Sequence, residues 1–195
     1  MIEFDVELNA VPVEKDKVGK EVTVNWVMYD KFDANKTFWS DSNGLEMQQR
    51  TARSFNSSPT PAIQNVSSSY YPVTTAIAIR DHNFKSKIQM TVMNDRTQGG
   101  SANLRKNTIE LLQQRRLLQD GSVGKFGEAV DEKDGSGHGA KVNARYHVQI
   151  FDIVRGKSKQ RERQLHNSHP VQYFFAMDLE EAQEQPSGLQ WSPKV

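Results

Sequence analysis

Apolar residues recur at every second position along most of this chain, the period that a half-buried strand imposes. Ile2, Phe4, Val6 and Leu8 share one face of a first strand, and Val22, Val24, Trp26 and Met28 one face of a second. Thr37, Phe38 and Trp39 mark a third, closed by Ser42-Asn43-Gly44, with residues 45–50 as its return. Asn-Gly between two such runs predicts a hairpin, because both residues tolerate positive φ. Val73, Thr75, Ile77 and Ile79 alternate, Asp81-His82-Asn83 turn the chain, and Ile88, Met90 and Val92 alternate on the way back. Val142, Ala144, Tyr146, Val148 and Ile150 repeat the pattern, and Val171, Tyr173, Phe175, Met177 and Leu179 predict a last strand. The predicted fold class is mostly β, an antiparallel β-sandwich.

Four segments break the period. Residues 53–69, rich in serine with Pro59 and Pro61, read as a long loop. Residues 108–118 fit two templates. Ile109, Leu112 and Arg116 suit a helix, whereas in a strand Ile109, Leu111 and Leu117 share a face with Gln113 and Arg115. The β-rich surroundings favour the strand. Gln98-Gly99-Gly100-Ser101 predicts a tight turn that needs the absence of Cβ. Residues 155–169 are polar and basic and predict an exposed linker or loop. The chain then divides into a β-region over 1–154, a linker over 155–169, and an extra strand with a tail over 170–195.

Composition narrows the function classes. A mean hydropathy of −0.71 with 36% hydrophobic residues is polar for a self-contained domain. It implies that long polar segments lie outside the core, or that another polypeptide completes some strands. A first strand already under way at Ile2 carries the same expectation of a piece of a larger protein. Twenty-five Lys and Arg against 24 Asp and Glu give a net charge of +1, which offers no global field for nucleic acid or an anionic membrane. The absence of cysteine excludes disulfides, thiolate zinc sites and cysteine nucleophiles. No apolar run approaches the roughly 20 residues that span a bilayer. The first ten residues lack the basic and apolar regions of a signal peptide.

The candidate chemistry is sparse. Glycoside hydrolysis needs two carboxyl groups across a sugar, and Asp41, Asp95, Glu110 and Asp120 are available. Nothing pairs any two of them, so no catalytic residue is nominated. His166 and His169 stand three apart, but Pro170 disfavours helix there and no third ligand is offered, so no metal site is nominated. Arg155, Lys157, Lys159, Arg161 and Arg163 could grip phosphates but lack interleaved aromatics. Asn35, Asn56 and Asn65 begin sequons, possible acceptors of glycosylation. Arg115-Arg116 says more. Adjacent strand residues face opposite sides, so one guanidinium can enter a buried network while its neighbour points elsewhere. Guanidinium forks suit carboxylates and vicinal hydroxyls. The plainer alternative is that both lie on a wet surface or pair with local acids.

Phe38-Trp39-Ser40-Asp41-Ser42-Asn43-Gly44, Tyr70-Tyr71-Pro72-Val73, Asp95-Arg96-Thr97-Gln98-Gly99-Gly100-Ser101 and Arg115-Arg116-Leu117-Leu118-Gln119-Asp120 occur in this order. The series resembles the C-terminal β-domain region of class II α-mannosidases, glycoside hydrolase family 38, and is most similar to the lysosomal, broad-specificity branch. The resemblance covers about residues 4–152 and implies the galactose-mutarotase-like super-sandwich of that family. It implies a retaining hydrolase of terminal α-mannose whose aspartate nucleophile and zinc ligands lie in an N-terminal catalytic domain outside this chain. That catalytic domain and a mannose-containing glycan are the implied partners, with no nucleic acid and no membrane. The implied location is lysosomal or secretory, and this chain alone is expected to be inactive. In the family the paired-arginine segment approaches the sugar, which maps onto Arg115 or Arg116 as substrate-binding residues, Arg115 the more favoured. This chain departs from the family at Gln114, where histidine or aspartate is usual, and after Asp120, where it reads Gly121-Ser122-Val123-Gly124-Lys125. The alternative functions are a stand-alone carbohydrate-binding β-sandwich without hydrolase activity, and an interaction module using the basic run at 155–163.

Overall fold

The structure is a computed structural model, described here over residues 1–12, 19–29, 31–52, 67–82, 87–116 and 133–173. Its elements are β1 (Ile2–Leu8), β2 (Lys20–Val27), β3 (Thr37–Asp41), β4 (Met47–Thr51), β5 (Tyr71–Val73), β6 (Ala76–Arg80), β7 (Ile88–Asn94), β8 (Gln98–Ala102), β9 (Thr108–Arg116), β10 (Val142–Asp152) and α1 (Ile153–Ser168). They form a six-stranded sheet ordered β1-β10-β7-β6-β3-β4 and a four-stranded sheet ordered β2-β9-β8-β5. All pairings are antiparallel. The strands are the alternating runs, because each presents one apolar face. Phe38, Ile77, Ile79, Val92 and Tyr146 of the larger sheet meet Val73, Ile109 and Leu111 of the smaller in one buried cluster. Trp26 packs edge-on against Tyr146 across that cluster, with ring centroids 4.8 Å apart. The β-reading of the chain holds, and residues 108–116 are strand.

The run from Val73 to Ile79 is two strands rather than one. β5 pairs with β8 in the smaller sheet, whereas β6 pairs with β7 in the larger. Thr74 and Thr75 carry the crossing, and the buried carboxylate of Asp41 holds it. Oδ1 accepts the amides of Thr75 and Ala76, both at 2.9 Å, and Oδ2 accepts the Thr75 hydroxyl at 2.6 Å. The Asn43-Gly44 hairpin forms as expected, with Gly44 at φ +75° and Asn43 Oδ1 accepting the Leu45 amide.

Gly99 and Gly100 lie in β8, not in a turn. They are needed for close approach. A Cβ on Gly100 would stand 2.6 Å from Val73 Cγ2 and 2.7 Å from Leu111 Cδ2. One on Gly99 would stand 2.8 Å from Leu112 Cδ1.

The expected linker at 155–169 is corrected to a helix. Asp152 caps α1 by accepting the Arg155 amide at 2.9 Å, and the chain leaves it at His169, ahead of Pro170. The buried positions are Gly156, Gln160 and Gln164, four apart and all non-apolar. They lie on the outer face of the larger sheet, where Gln89 donates to Gln160 and Gln164 donates to Thr75. A helix seated by amides rather than leucines shows no amphipathic period, so its sequence reads as linker. Residues 171–173 carry no strand, and the remainder of the strand expected to Leu179 lies outside the described residues.

Candidate functional site

The two arginines are separated by one irregularity. β2 and β9 pair in register from Val27↔Thr108 to Thr23↔Leu112, and then Val22 meets Gln114, so that Gln113 is an extra residue on β9. Such a bulge reverses which face each later side chain takes. Gln113 therefore keeps the inner face and bonds the Tyr146 hydroxyl, while Gln114 and Arg116 follow on that side as partners of Val22 and Lys20. Arg115 is carried to the outer face with Glu21, its cross-strand partner. Strand parity without the bulge had placed Arg115 with Ile109 and Leu111.

The environments then diverge. Arg116 is half-buried, donates from Nη1 to the Val11 carbonyl at 2.5 Å, and lies against Gly139, where a Cβ would stand 3.3 Å from it. Gln114 donates to the Ala140 carbonyl at 2.7 Å. These two side chains tie the end of β9 to neighbouring backbone. Arg115 is exposed and its Nη2 meets Glu21 Oε1 at 2.5 Å. A guanidinium in that position keeps further donors for hydroxyls or carboxylates.

Glu110 lies on the same outer face, two positions before Leu112. The Tyr70 hydroxyl donates to its Oε1. Burial first, and then the Glu21 charge, push the Glu110 carboxyl above its ordinary value. The outer face thus carries a phenol, a carboxyl whose charged form is disfavoured, and a carboxylate bound to a guanidinium. Sequence reasoning named Glu110 as one of four unpaired acids and missed Glu21 and Tyr70. Their signal lay only in register, which brings distant positions side by side.

A second polar site lies between α1 and the larger sheet. A cleft of about 460 Å³ is bordered by Asn94, Asp95, Arg145, His147, Arg163 and Asn167, among others. Its side chains are largely committed to one another. His147, 5% exposed, receives Arg163 Nη2 at 2.6 Å and Glu3 Oε2 at 2.9 Å on the same nitrogen, Nε2, and has Asn167 at 3.2 Å from Nδ1. One nitrogen cannot accept from Arg163 and donate to Glu3 together. Burial first, and then the Arg163 charge, lower the His147 value and outweigh Glu3, so the neutral ring that accepts from Arg163 is favoured.

The remaining nominated residues fall in separate places. Asp41 is consumed by the sheet crossing. Asp95 is exposed; burial opposes its charge, but the Arg96 side chain and the Arg145 amide outweigh that and hold its carboxyl below the ordinary value. Asp120 lies outside the described residues. His166 is in the last turn of α1 and His169 at its cap. Among the described residues no group of three or more His, Asp or Glu could hold a metal ion. Asn35 is exposed at φ 44°, while Asn56 and Asn65 lie outside the described residues.

The family model described as "Glycosyl hydrolases family 38 C-terminal domain" matches residues 1–122. The chain is 36% identical over 154 residues to the lysosomal alpha-mannosidase of Felis catus, covering 79% of this chain and 14% of that protein. It is 35% identical over 154 residues to the lysosomal alpha-mannosidase of Homo sapiens, with the same coverage of 79% and 14%. It is 30% identical over 164 residues to the alpha-mannosidase of Canavalia ensiformis, covering 82% of the chain and 16% of that protein. The chain therefore spans only a small part of the length of the curated relatives it matches. With most of its residues inside the family match, this chain belongs to the C-terminal domain family of glycosyl hydrolases family 38.

Proposed function

We propose that this chain is the C-terminal β-domain portion of a retaining α-mannosidase of the lysosomal type, which removes terminal α-D-mannose from glycans. The nucleophile, the acid catalyst and the zinc ligands belong to a preceding catalytic part of the same protein. Zinc there would grip vicinal hydroxyls of the sugar. The described residues of this chain do not fit such a metal, and no step is assigned to them through it. Their contribution is a wall of the sugar site. Arg115 contacts the bound sugar and Arg116 holds the strand that presents it.

The observation that carries this reading is the bulge at Gln113 in a chain of this family. It leaves Arg116 tied to the Val11 carbonyl and turns Arg115 outward with donors to spare. The relatives named lysosomal alpha-mannosidase support the lysosomal branch and a lysosomal or secretory location.

The test uses the full-length protein with zinc and 4-nitrophenyl α-D-mannoside. Arg115→Ala is expected to raise KM about tenfold, the equivalent of one lost charged hydrogen bond at roughly 1.4 kcal/mol. Wild-type kinetics in that variant would overturn the arginine's role. Hydrolysis by the isolated 195-residue chain would overturn the assignment of chemistry elsewhere. Mannoside binding by a full-length protein with no hydrolysis would instead indicate a carbohydrate-binding module.

A further inference from the structure

The Glu21–Arg115 pair has a consequence beyond the contact itself. Arg115 lies next to the end of β9, an inner strand of the smaller sheet, with its side chain exposed, and a free arginine there would sample many rotamers. Each sugar bound would then have to order it. Glu21 is its direct partner across β2 and β9, and the Oε1–Nη2 distance of 2.5 Å fixes one corner of the guanidinium. The backbone beneath is held independently, by Arg116 on the Val11 carbonyl and Gln114 on the Ala140 carbonyl. The ion pair is therefore not what keeps the strand in place.

Other acids on that face do not share the task. Glu110 is engaged by the Tyr70 hydroxyl, and its charged form is disfavoured by burial and by Glu21 itself. That leaves Glu21 as the carboxylate opposite Arg115. An ion pair this exposed adds little stability. Its effect is on geometry. A guanidinium gripped at one hydrogen of Nη2 keeps its other edge free, where the second Nη2 hydrogen and a neighbouring N–H form a parallel pair of donors, the arrangement that meets two adjacent oxygens.

We propose that Glu21 is a positioning residue for Arg115, holding its guanidinium so that the unused donors meet vicinal hydroxyls of the sugar. The inference rests on the reading of Arg115 as a sugar contact. It adds a specificity element, because two parallel donors favour ligands with neighbouring hydroxyls over those with a single one.

The experiment compares Glu21→Gln, Arg115→Ala and the exchanged pair Glu21→Arg with Arg115→Glu, in the full-length zinc-loaded protein. KM and kcat for 4-nitrophenyl α-D-mannoside are read beside the thermal midpoint. Glu21→Gln is expected to raise KM about threefold to fivefold, with kcat within about twofold and the midpoint nearly unmoved. The exchanged pair restores the attraction but moves the guanidinium to β2, so KM is expected to stay raised even with a wild-type midpoint. Wild-type KM in Glu21→Gln, with a raised KM in Arg115→Ala, overturns the positioning role and leaves the sugar contact standing. Wild-type KM in both overturns the contact and the positioning together. If Glu21→Gln lowers the midpoint, the exchanged pair decides. Recovery of KM along with the midpoint makes the pair structural only and overturns the inference.

Discussion

Asp41 holds Thr75 by two routes at once, its carboxylate accepting the Thr75 amide at 2.9 Å and the Thr75 hydroxyl at 2.6 Å. The Ala76 amide joins them at 2.9 Å, so one buried side chain ties the end of β3 to Thr75 and to the first residue of β6. This is the point at which the chain leaves the smaller sheet for the larger. Asp41→Ala strands buried donors and is expected to cost about 2–4 kcal/mol in urea denaturation. Asp41→Asn keeps one acceptor oxygen and should lose less. Equal stability of the alanine variant and the wild type would show that the crossing does not depend on the clamp.

The glycines of β8 make a second, independent stability prediction. Gly100→Ala forces a methyl group against Val73 and Leu111, both fully buried, and is expected to destabilise by about 1–3 kcal/mol. Gly135 has open space around its Cβ position, so Gly135→Ala should stay within about 0.5 kcal/mol. Urea midpoints of the two variants separate a packing role from a general preference for glycine.

The strands were legible because their apolar faces repeat with period two. Asn43-Gly44 announced its hairpin for the same kind of local reason. What was not legible depends on residues distant in the chain. The break after Val73 follows from the Asp41 carboxylate, and Gly99-Gly100 looks like a turn until Val73, Leu111 and Leu112 are known to press on it. The helix at 153–168 was missed because its buried stripe is glycine and glutamine. At the arginines, alternation correctly separated the two side chains but assigned them to the wrong faces. A bulge at Gln113 is a matter of pairing with β2, which composition does not reveal.

The polar seat of α1 predicts a helix that can be loosened without unfolding the sheets. Gln160→Ala removes the acceptor for Gln89, while Gln89 keeps Thr91 as a partner at 2.8 Å. The expected cost is about 1 kcal/mol. Hydrogen exchange should quicken along residues 153–168 and remain unchanged in β6 and β7. Faster exchange in both sheets would mean that α1 is part of the cooperative core.

His147 gives that seat a pH dependence whose sign can be worked out. Its folded value lies below the ordinary imidazole value, because burial and Arg163 disfavour the charged ring. The unfolded chain therefore takes up the proton first as pH falls. The stability that His147 contributes is present above about pH 6.5 and is lost on acidification toward the lowered folded value. The groups facing it are Glu3 from β1, Arg145 from β10, and Arg163 and Asn167 from α1. Protonation replaces acceptance from Arg163 with donation to Glu3, so the helix loses a bond while β1 gains one. His147→Gln retains a neutral acceptor and cannot take up the proton. Between pH 7.5 and 5.5 its urea midpoint should fall less than that of the wild type, and its α1 amides should keep more of their protection. Parallel midpoints across that range would place the acid sensitivity of the fold in other groups.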